Sequence, residues 1–289
     1  MTDAAPRHQS ARVSGARLPL AIAALLALAM FGGGLLAVLR APPPAPALAR
    51  AQPLPPPLPA EPAAPVIGLI VTGLGATAAE TRAAIGLPAA VGLAFSPYGA
   101  DVGRWMAAAA ADGHEIYLEL PLEAADPERV DQGPLALSPA VDAAGNRRRL
   151  DALLAVPGTR PIGVVAAAGA FARAPAAFTP VASTLAERDL VFIELGGREL
   201  EPAAAEVGLR YRSAAGPLEG DLSPDAIEAG LAALTRAAQD QGIGLGFIAA
   251  FPLTVDRIAA WLSRLDRLGL ALRPASHGQD RGRTARAAG

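Results

Sequence analysis

Cysteine and lysine are both absent from the 289-residue chain, and histidine occurs only three times. Without cysteine the protein has no disulfide bond, no thiol nucleophile and no cysteine-ligated zinc site. Without lysine it has neither a Schiff-base amine nor the lysine of a phosphate-binding P-loop. Three histidines limit imidazole to one metal or acid–base centre at most.

The N-terminal region contains one long uncharged segment. Residues 18–39 are 22 consecutive positions without a charge, preceded by Arg7, Arg12 and Arg17. A helix of this length matches a hydrocarbon core of about 30 Å, whereas the apolar part of a signal peptide is only about 7–15 residues. We therefore expect an uncleaved transmembrane anchor rather than a cleaved signal. By the positive-inside rule, residues 1–17 are cytoplasmic and the rest of the chain lies in the periplasm.

Two further segments are unsuited to a folded core. Residues 40–65 are mostly proline and alanine, which predicts an extended linker. Residues 276–289 contain three arginines and no apolar run, which predicts a disordered tail. The domain between them, residues 66–275, has 17 arginines against 24 acidic residues. A net charge of −7 argues against nucleic acid as a partner.

Within this domain, strand-like and helix-like segments alternate. The strand candidates are short apolar runs, which are typical of a parallel sheet covered by helices. They lie at residues 66–71, 91–95, 115–120, 162–165, 191–194, 243–248 and 270–272. Residues 123–139 carry proline, glycine and aspartate and are predicted to form a long surface loop. About seven strands in this length favour an α/β fold with an irregular (β/α) barrel over an open doubly wound sheet.

The order of these segments resembles that of the divergent polysaccharide deacetylases, an outlying branch of the NodB-like deacetylases. The most specific segment is residues 112–123 (DGHEIYLELPLE). The other matching segments are residues 67–75 (IGLIVTGLG), 92–98 (GLAFSPY), 163–169 (GVVAAAG), 191–194 (VFIE) and 246–252 (GFIAAFP). The resemblance implies a NodB-like barrel of about seven strands that acts on or near envelope carbohydrate.

The chain departs from this family at the positions that carry its chemistry. The family's first strand ends in two aspartates, which are replaced here by Thr72 and Gly73, and a family histidine on the third strand is replaced by Glu119. The family's Asn-His pair corresponds to Ala166 and Ala167. A Gly-His-Pro sequence near the end corresponds to residues 250–252, which include Phe251.

These replacements remove the metal ligands and proton carriers that the family resemblance implies, because deacetylation there needs a divalent metal held by aspartate and histidine. We therefore predict no catalytic residue, no metal and no cofactor. The pocket candidates are Glu119, Glu194, Glu123 and Thr72. Glu119 and Glu194 end strands, where barrel active sites are built, and could bind a cation or an amino sugar. The competing interpretation, which we favour, makes them partly exposed carboxylates, solvated or paired with Arg198.

The sequence leads to one main functional hypothesis and two alternatives. The main hypothesis is a single-pass inner-membrane pseudoenzyme whose periplasmic barrel binds envelope glycan or a periplasmic protein. The first alternative is an active carbohydrate hydrolase or deacetylase that uses Glu119 and Glu194 with a non-zinc cation. The second is a structural envelope adaptor. His114, the only histidine of the domain, precedes its strand and is predicted to have a capping or packing role.

Overall fold

A computed structural model describes residues 64–155, 159–216 and 223–277. The predicted N-terminal segment, the membrane anchor at residues 18–39 and nearly all of the proline-rich linker lie outside these residues. Within the described ranges, no helix combines the length and hydrophobicity needed to span a bilayer. The tail prediction for residues 278–289 also lies outside the described part.

The centre of the domain is a parallel sheet in which seven strands lie side by side in one row and a short eighth strand pairs with one of them. The strands are β1 (Val66–Leu74), β2 (Gly92–Phe95), β3 (Ile116–Glu119), β4 (Gly163–Ala166), β5 (Val191–Leu195), β6 (Arg210–Ala214), β7 (Ile243–Ala249) and the short β8 (Ala271–Leu272). Their order is β6-β5-β4-β3-β2-β1-β7, and β8 pairs with the first residues of β1. The predicted parallel α/β fold is confirmed, as is the number of about seven strands.

Helices connect most of the strands and cover the outside of the sheet. They are α1 (Ala78–Ile85), α2 (Val102–Ala111), α3 (Ala143–Leu154), α4 (Thr179–Glu187), α5 (Glu201–Glu206), α6 (Pro224–Gln241) and α7 (Pro252–Leu262). Three 3-10 segments, at Gly169–Arg173, Pro175–Phe178 and Asp266–Leu268, supplement them. The stretch between β3 and α3 contains neither helix nor strand, as the sequence predicts for residues 123–139.

The sheet curls so that its two edge strands approach each other. Ala215, directly after β6, donates its N–H to the Leu245 carbonyl at 2.8 Å and accepts from the Phe247 N–H at 3.3 Å. This bridge to β7 is the only one between the two edges among the described residues. The sheet is therefore curled into a half-barrel whose two edges are joined at one point.

Side chains of successive strand residues alternate between two hydrophobic cores. The larger core lies between the strands and the helices, and includes Phe192 of β5 in contact with Phe178 at a ring distance of 5.0 Å. The smaller core fills the barrel interior with side chains such as Ile70, Tyr117 and Ile193. This alternation decides whether a residue at the end of a strand faces the barrel mouth or the surrounding helices.

The C-terminal boundary differs slightly from the prediction, which started the tail at Ser276. The Ser276 N–H and hydroxyl both donate to the carboxylate of Glu115, with a distance of 3.1 Å for the N–H. The Arg212 guanidinium donates to the carbonyls of Ala275 and His277, the latter at 2.8 Å. The folded domain therefore includes Ser276 and His277, because polar groups at the bottom of the barrel bind them.

His114 is buried at the start of β3 and joins two other elements. Its Nδ1 lies 2.9 Å from the Val91 carbonyl oxygen and its Nε2 lies 3.0 Å from the Ile85 carbonyl oxygen, at the end of α1. The buried ring therefore contacts one backbone carbonyl through each nitrogen and links the end of α1 to the residue before β2. The predicted capping or packing role of His114 is confirmed.

Substitution of His114 by alanine is expected to lower the free energy of unfolding by about 2–4 kcal/mol, because the change removes a buried ring together with its contacts to two backbone carbonyls. Urea unfolding of the full-length chain measures the change. His277→Ala is the matched control, since the His277 side chain is exposed and forms no hydrogen bond with the described part of the chain. A loss below about 0.5 kcal/mol for His114→Ala, comparable with an ordinary surface substitution, contradicts the structural role of the ring.

Candidate functional site

A cavity of about 340 Å³ opens at the carboxyl ends of the strands, the edge at which β/α barrels build their sites. Glu119 lies at the end of β3, Ser96 and Tyr98 follow β2, and Ala167 follows β4. Asp131, Gln132 and Gly133 come from the long loop after β3. Leu195, at the end of β5, completes the lining, so the cavity is bounded by four strand ends and one loop and combines carboxylate, hydroxyl, amide and aromatic groups.

Glu119 points into the barrel mouth, because its neighbours Leu118 and Leu120 both belong to the outer core. Its Oε1 accepts a hydrogen bond from the backbone N–H of Gly73. That N–H is free of the sheet ladder because the pairing of β1 with β2 shifts register between Val71 and Leu74. Gly73 has a φ of +78°, which glycine adopts without strain.

The Glu119 carboxyl is half-buried, and its pKa is raised. Burial raises its pKa to about 7, and the Gly73 hydrogen bond offsets this only in part. Oε2 has no hydrogen-bond donor among the described residues. The site therefore presents a desolvated carboxyl with one oxygen open to a ligand.

The Glu194 side chain points away from the barrel mouth, in contrast to that of Glu119. Its neighbours Ile193 and Leu195 pack in the barrel interior, so the Glu194 side chain points outward, and it is completely buried. Its carboxylate accepts from the N–H groups of Glu199 at 2.9 Å and Leu200 at 3.0 Å. It also accepts from the Tyr211 hydroxyl at 2.8 Å.

The expectation that Glu194 is partly exposed and solvated or paired with Arg198 is wrong. Arg198 instead forms a bidentate ion pair with Glu201, at 2.8 and 2.9 Å. Burial raises the pKa of Glu194 to about 7, and the nearby Glu199 carboxyl adds to the increase. Glu194 thus anchors the turn between β5 and α5, and it is not among the residues that line the cavity.

The other two pocket candidates, Thr72 and Glu123, do not line the cavity either. The Thr72 hydroxyl is almost fully buried and donates to the Ile248 carbonyl at 3.4 Å. The Glu123 backbone pairs with Leu137 and Ala170, which fixes the loop after β3. Neither side chain is therefore part of the cavity lining that contains Glu119.

The remaining positions that depart from the family pattern have different environments. Ala166 and Ala167 line the cavity, and Ala167 is exposed there. Phe251 precedes α7 with 44% of its surface exposed and is not part of the cavity lining. The mouth is consequently open and partly polar, and among the residues that the structure describes no aromatic side chain closes it.

The residues present do not fit the divalent metal that the family resemblance implies. Of the substituted positions, only Glu119 carries a carboxylate or an imidazole, and its Oε1 is already bound to an amide N–H. No group of three or more His, Asp or Glu residues in the described ranges is arranged to hold a metal ion. The donor set at the mouth contains carboxylates but no imidazole, and it does not match a metal site built from aspartate and histidine.

Sequence reasoning missed Ser96, Tyr98, Asp131 and Gln132 as cavity residues. The Tyr98 hydroxyl accepts from the Leu135 N–H at 3.2 Å, and its ring lies directly against Gly133, where a Cβ atom would be only 2.7 Å away. Ser96 and Tyr98 directly follow a predicted strand. The principle that barrel sites are built at strand ends, which selected Glu119, could therefore have found them as well. Asp131 and Gln132 had no such signal, because the path of a long loop is not encoded in local periodicity.

Comparison with known proteins supports the family and the fold. The model of the divergent polysaccharide deacetylase family matches residues 69–278. The crystal structure of uncharacterized protein ATU2773 from Agrobacterium tumefaciens C58 is 28% identical, with a TM-score of 0.68. The match covers 74% of this chain and 88% of that one.

A more distant structure, from Enterococcus faecalis V583, is described as that of a candidate cellobiose-phosphate cleavage protein. It is 13% identical, with a TM-score of 0.52, over 73% of this chain and 97% of that one, and it shows similarity of fold alone. A search of curated proteins found no match. The family match spans almost the whole described domain, and the chain therefore belongs to the divergent polysaccharide deacetylase family.

Proposed function

We propose that this protein is an inner-membrane pseudoenzyme whose periplasmic barrel binds envelope glycan at its mouth without hydrolysing it. The observation that carries the proposal is the Glu119–Gly73 hydrogen bond. This bond engages Glu119, the one carboxylate at the substituted positions. A cavity large enough for a small ligand stays open beside it. Membrane anchoring rests on residues 18–39 and the three preceding arginines.

The contents of the cavity suit a sugar. Carbohydrate hydroxyls are recognised by carboxylates, amides and hydroxyls, which Glu119, Gln132 and Ser96 supply. Tyr98 adds an aromatic ring at the rim, 46% exposed and held in place by the loop at Gly133. A fixed aromatic face beside polar groups offers apolar contact to a ring and hydrogen bonds to its substituents.

The alternative of a hydrolase that uses Glu119 and Glu194 has less support. The two carboxylates project to opposite sides of the barrel wall, and Glu194 already has three hydrogen-bond donors. Glycoside hydrolysis needs two carboxyl groups that flank one bond. Binding by Glu119 alone requires no such pair.

Blocking the cavity with a large side chain should weaken the binding of glycan. Ala167→Trp places a large side chain in the mouth, and it is expected to weaken binding of chitin-type oligosaccharides by at least about tenfold, as measured by calorimetric titration of the full-length chain in detergent. Ala152→Trp, on the exposed face of α3, is the matched control and should bind like the wild type. Equal affinity for all three proteins would place the glycan site elsewhere or deny it altogether.

A further inference from the structure

We infer that the cavity at the barrel mouth selects a ligand that carries a protonated amine, so that its sugar is an amino sugar with a free amino group rather than an N-acetylated one. This inference rests on the proposed glycan-binding function and names the ligand class of the same site. Three features of the cavity carry it: its charge, the free oxygen of Glu119 and the fixed position of the acidic loop.

The charge of the lining has one sign. Glu119 and Asp131 both line the cavity, and no arginine or histidine among the described residues does. Arg149 lies close enough to act on Tyr98 at the rim, but its guanidinium donates to the Ala136 carbonyl and it is not part of the lining. A concave site with carboxylates and no compensating cation is complementary to a positively charged group.

Glu119 is the carboxyl group of the cavity that a bound cation would stabilise most. Among the described residues only Oε1 has a donor, whereas Oε2 has none, and the side chain lines the cavity. A half-buried carboxylate with one hydrogen bond is poorly compensated for the loss of water. An ammonium group at Oε2 supplies both a donor and the opposite charge, and charge-assisted hydrogen bonds are about twice as strong as neutral ones.

The second carboxylate is held at the cavity by its own loop. Asp131 Oδ1 accepts from the Gly133 N–H at 2.7 Å, and Gly133 packs against the Tyr98 ring with a φ of +87°. Tyr98 is in turn bonded to the Leu135 N–H. These contacts keep a second negative charge beside the cavity, and little rearrangement is needed when a cation binds.

An N-acetyl group lacks these advantages. Acetylation replaces the ammonium by a neutral amide with a single N–H, so the charge–charge attraction to Glu119 and Asp131 is lost. The geometry thus favours the deacetylated sugar by charge attraction.

The test compares two oligosaccharides of equal length, the glucosamine tetramer and the N-acetylglucosamine tetramer, by calorimetric titration of the full-length chain. The amine form is expected to bind at least about tenfold more tightly. In Glu119→Gln, which keeps the shape but removes the charge, this preference should fall to within about twofold. Glu123→Gln, a carboxylate of the same loop outside the cavity lining, should keep the wild-type preference.

Each outcome is decisive, and the two proposals fail differently. Equal or tighter binding of the acetylated tetramer overturns the amine inference and leaves glycan binding intact. Binding of neither tetramer overturns both. An unchanged preference in Glu119→Gln also overturns the inference, and Asp131→Asn, on an exposed loop, provides an independent loss of charge with an expected smaller reduction in preference.

Discussion

Replacement of Glu194 by alanine is expected to lower the free energy of unfolding by about 2–4 kcal/mol. The carboxylate is completely buried and accepts three hydrogen bonds, from the N–H groups of Glu199 and Leu200 and from the Tyr211 hydroxyl. Without it, two backbone N–H groups and one hydroxyl in the region between β5, α5 and β6 lose their acceptor. Urea unfolding of the full-length chain measures the loss.

The control for this prediction is Glu201→Ala, which removes a carboxylate of the same region from an exposed ion pair with Arg198. Such surface pairs contribute about 0–1 kcal/mol, so this variant should remain close to the wild type. Glu194→Gln should fall between the two, because one amide oxygen can still accept. If Glu194→Ala were as mild as Glu201→Ala, the anchoring role of Glu194 would be wrong.

Substitution of Glu119 by glutamine is expected to flatten the dependence of stability on pH. Burial raises the pKa of Glu119 from about 4.5 to about 7. Between these values the folded state holds more protons than the unfolded state, so the free energy of unfolding falls as pH rises, by about 1–3 kcal/mol in total. Above the folded pKa, the loss is complete and the stability no longer changes through this group.

Glutamine stays neutral and keeps an acceptor for the Gly73 N–H, so Glu119→Gln should be more stable than the wild type at about pH 8. Unfolding midpoints in urea at about pH 5 and about pH 8 measure the difference. The variant should retain part of the pH dependence, because burial also raises the pKa of Glu194 to about 7. Glu123→Gln is the control, and a wild-type slope in Glu119→Gln would contradict the buried state of this carboxyl.

Much of the fold was accessible from the sequence because the strands that carry it are short apolar runs bounded by turns. Strand β6 and helix α5 were missed. Strand β6 contains two arginines, whose guanidinium groups donate to backbone carbonyls rather than to solvent. A strand that satisfies its polar side chains through such contacts has no apolar run, and its signal appears only when the tertiary partners are known.

The candidate site was accessible only in part. The principle that barrel sites are built at strand ends selected Glu119, which lines the cavity, but it selected Glu194 as well. Strands of a parallel barrel are buried on both faces, so residues such as those of β5 lack the alternation that tells inward from outward. The facing of Glu194 follows from the pairing of β5 in the barrel, and the position of Asp131 follows from the Tyr98–Gly133 contact, neither of which local sequence encodes.

The central claim, binding at the barrel mouth without hydrolysis, is tested most directly by native mass spectrometry of the full-length chain with a partially acetylated chitin oligosaccharide. One spectrum reports both whether a complex forms and whether the sugar loses acetyl groups or is cleaved. The account predicts a complex that contains the oligosaccharide at its original mass after prolonged incubation. Loss of an acetyl group, cleavage of the oligosaccharide or the absence of any complex would contradict it.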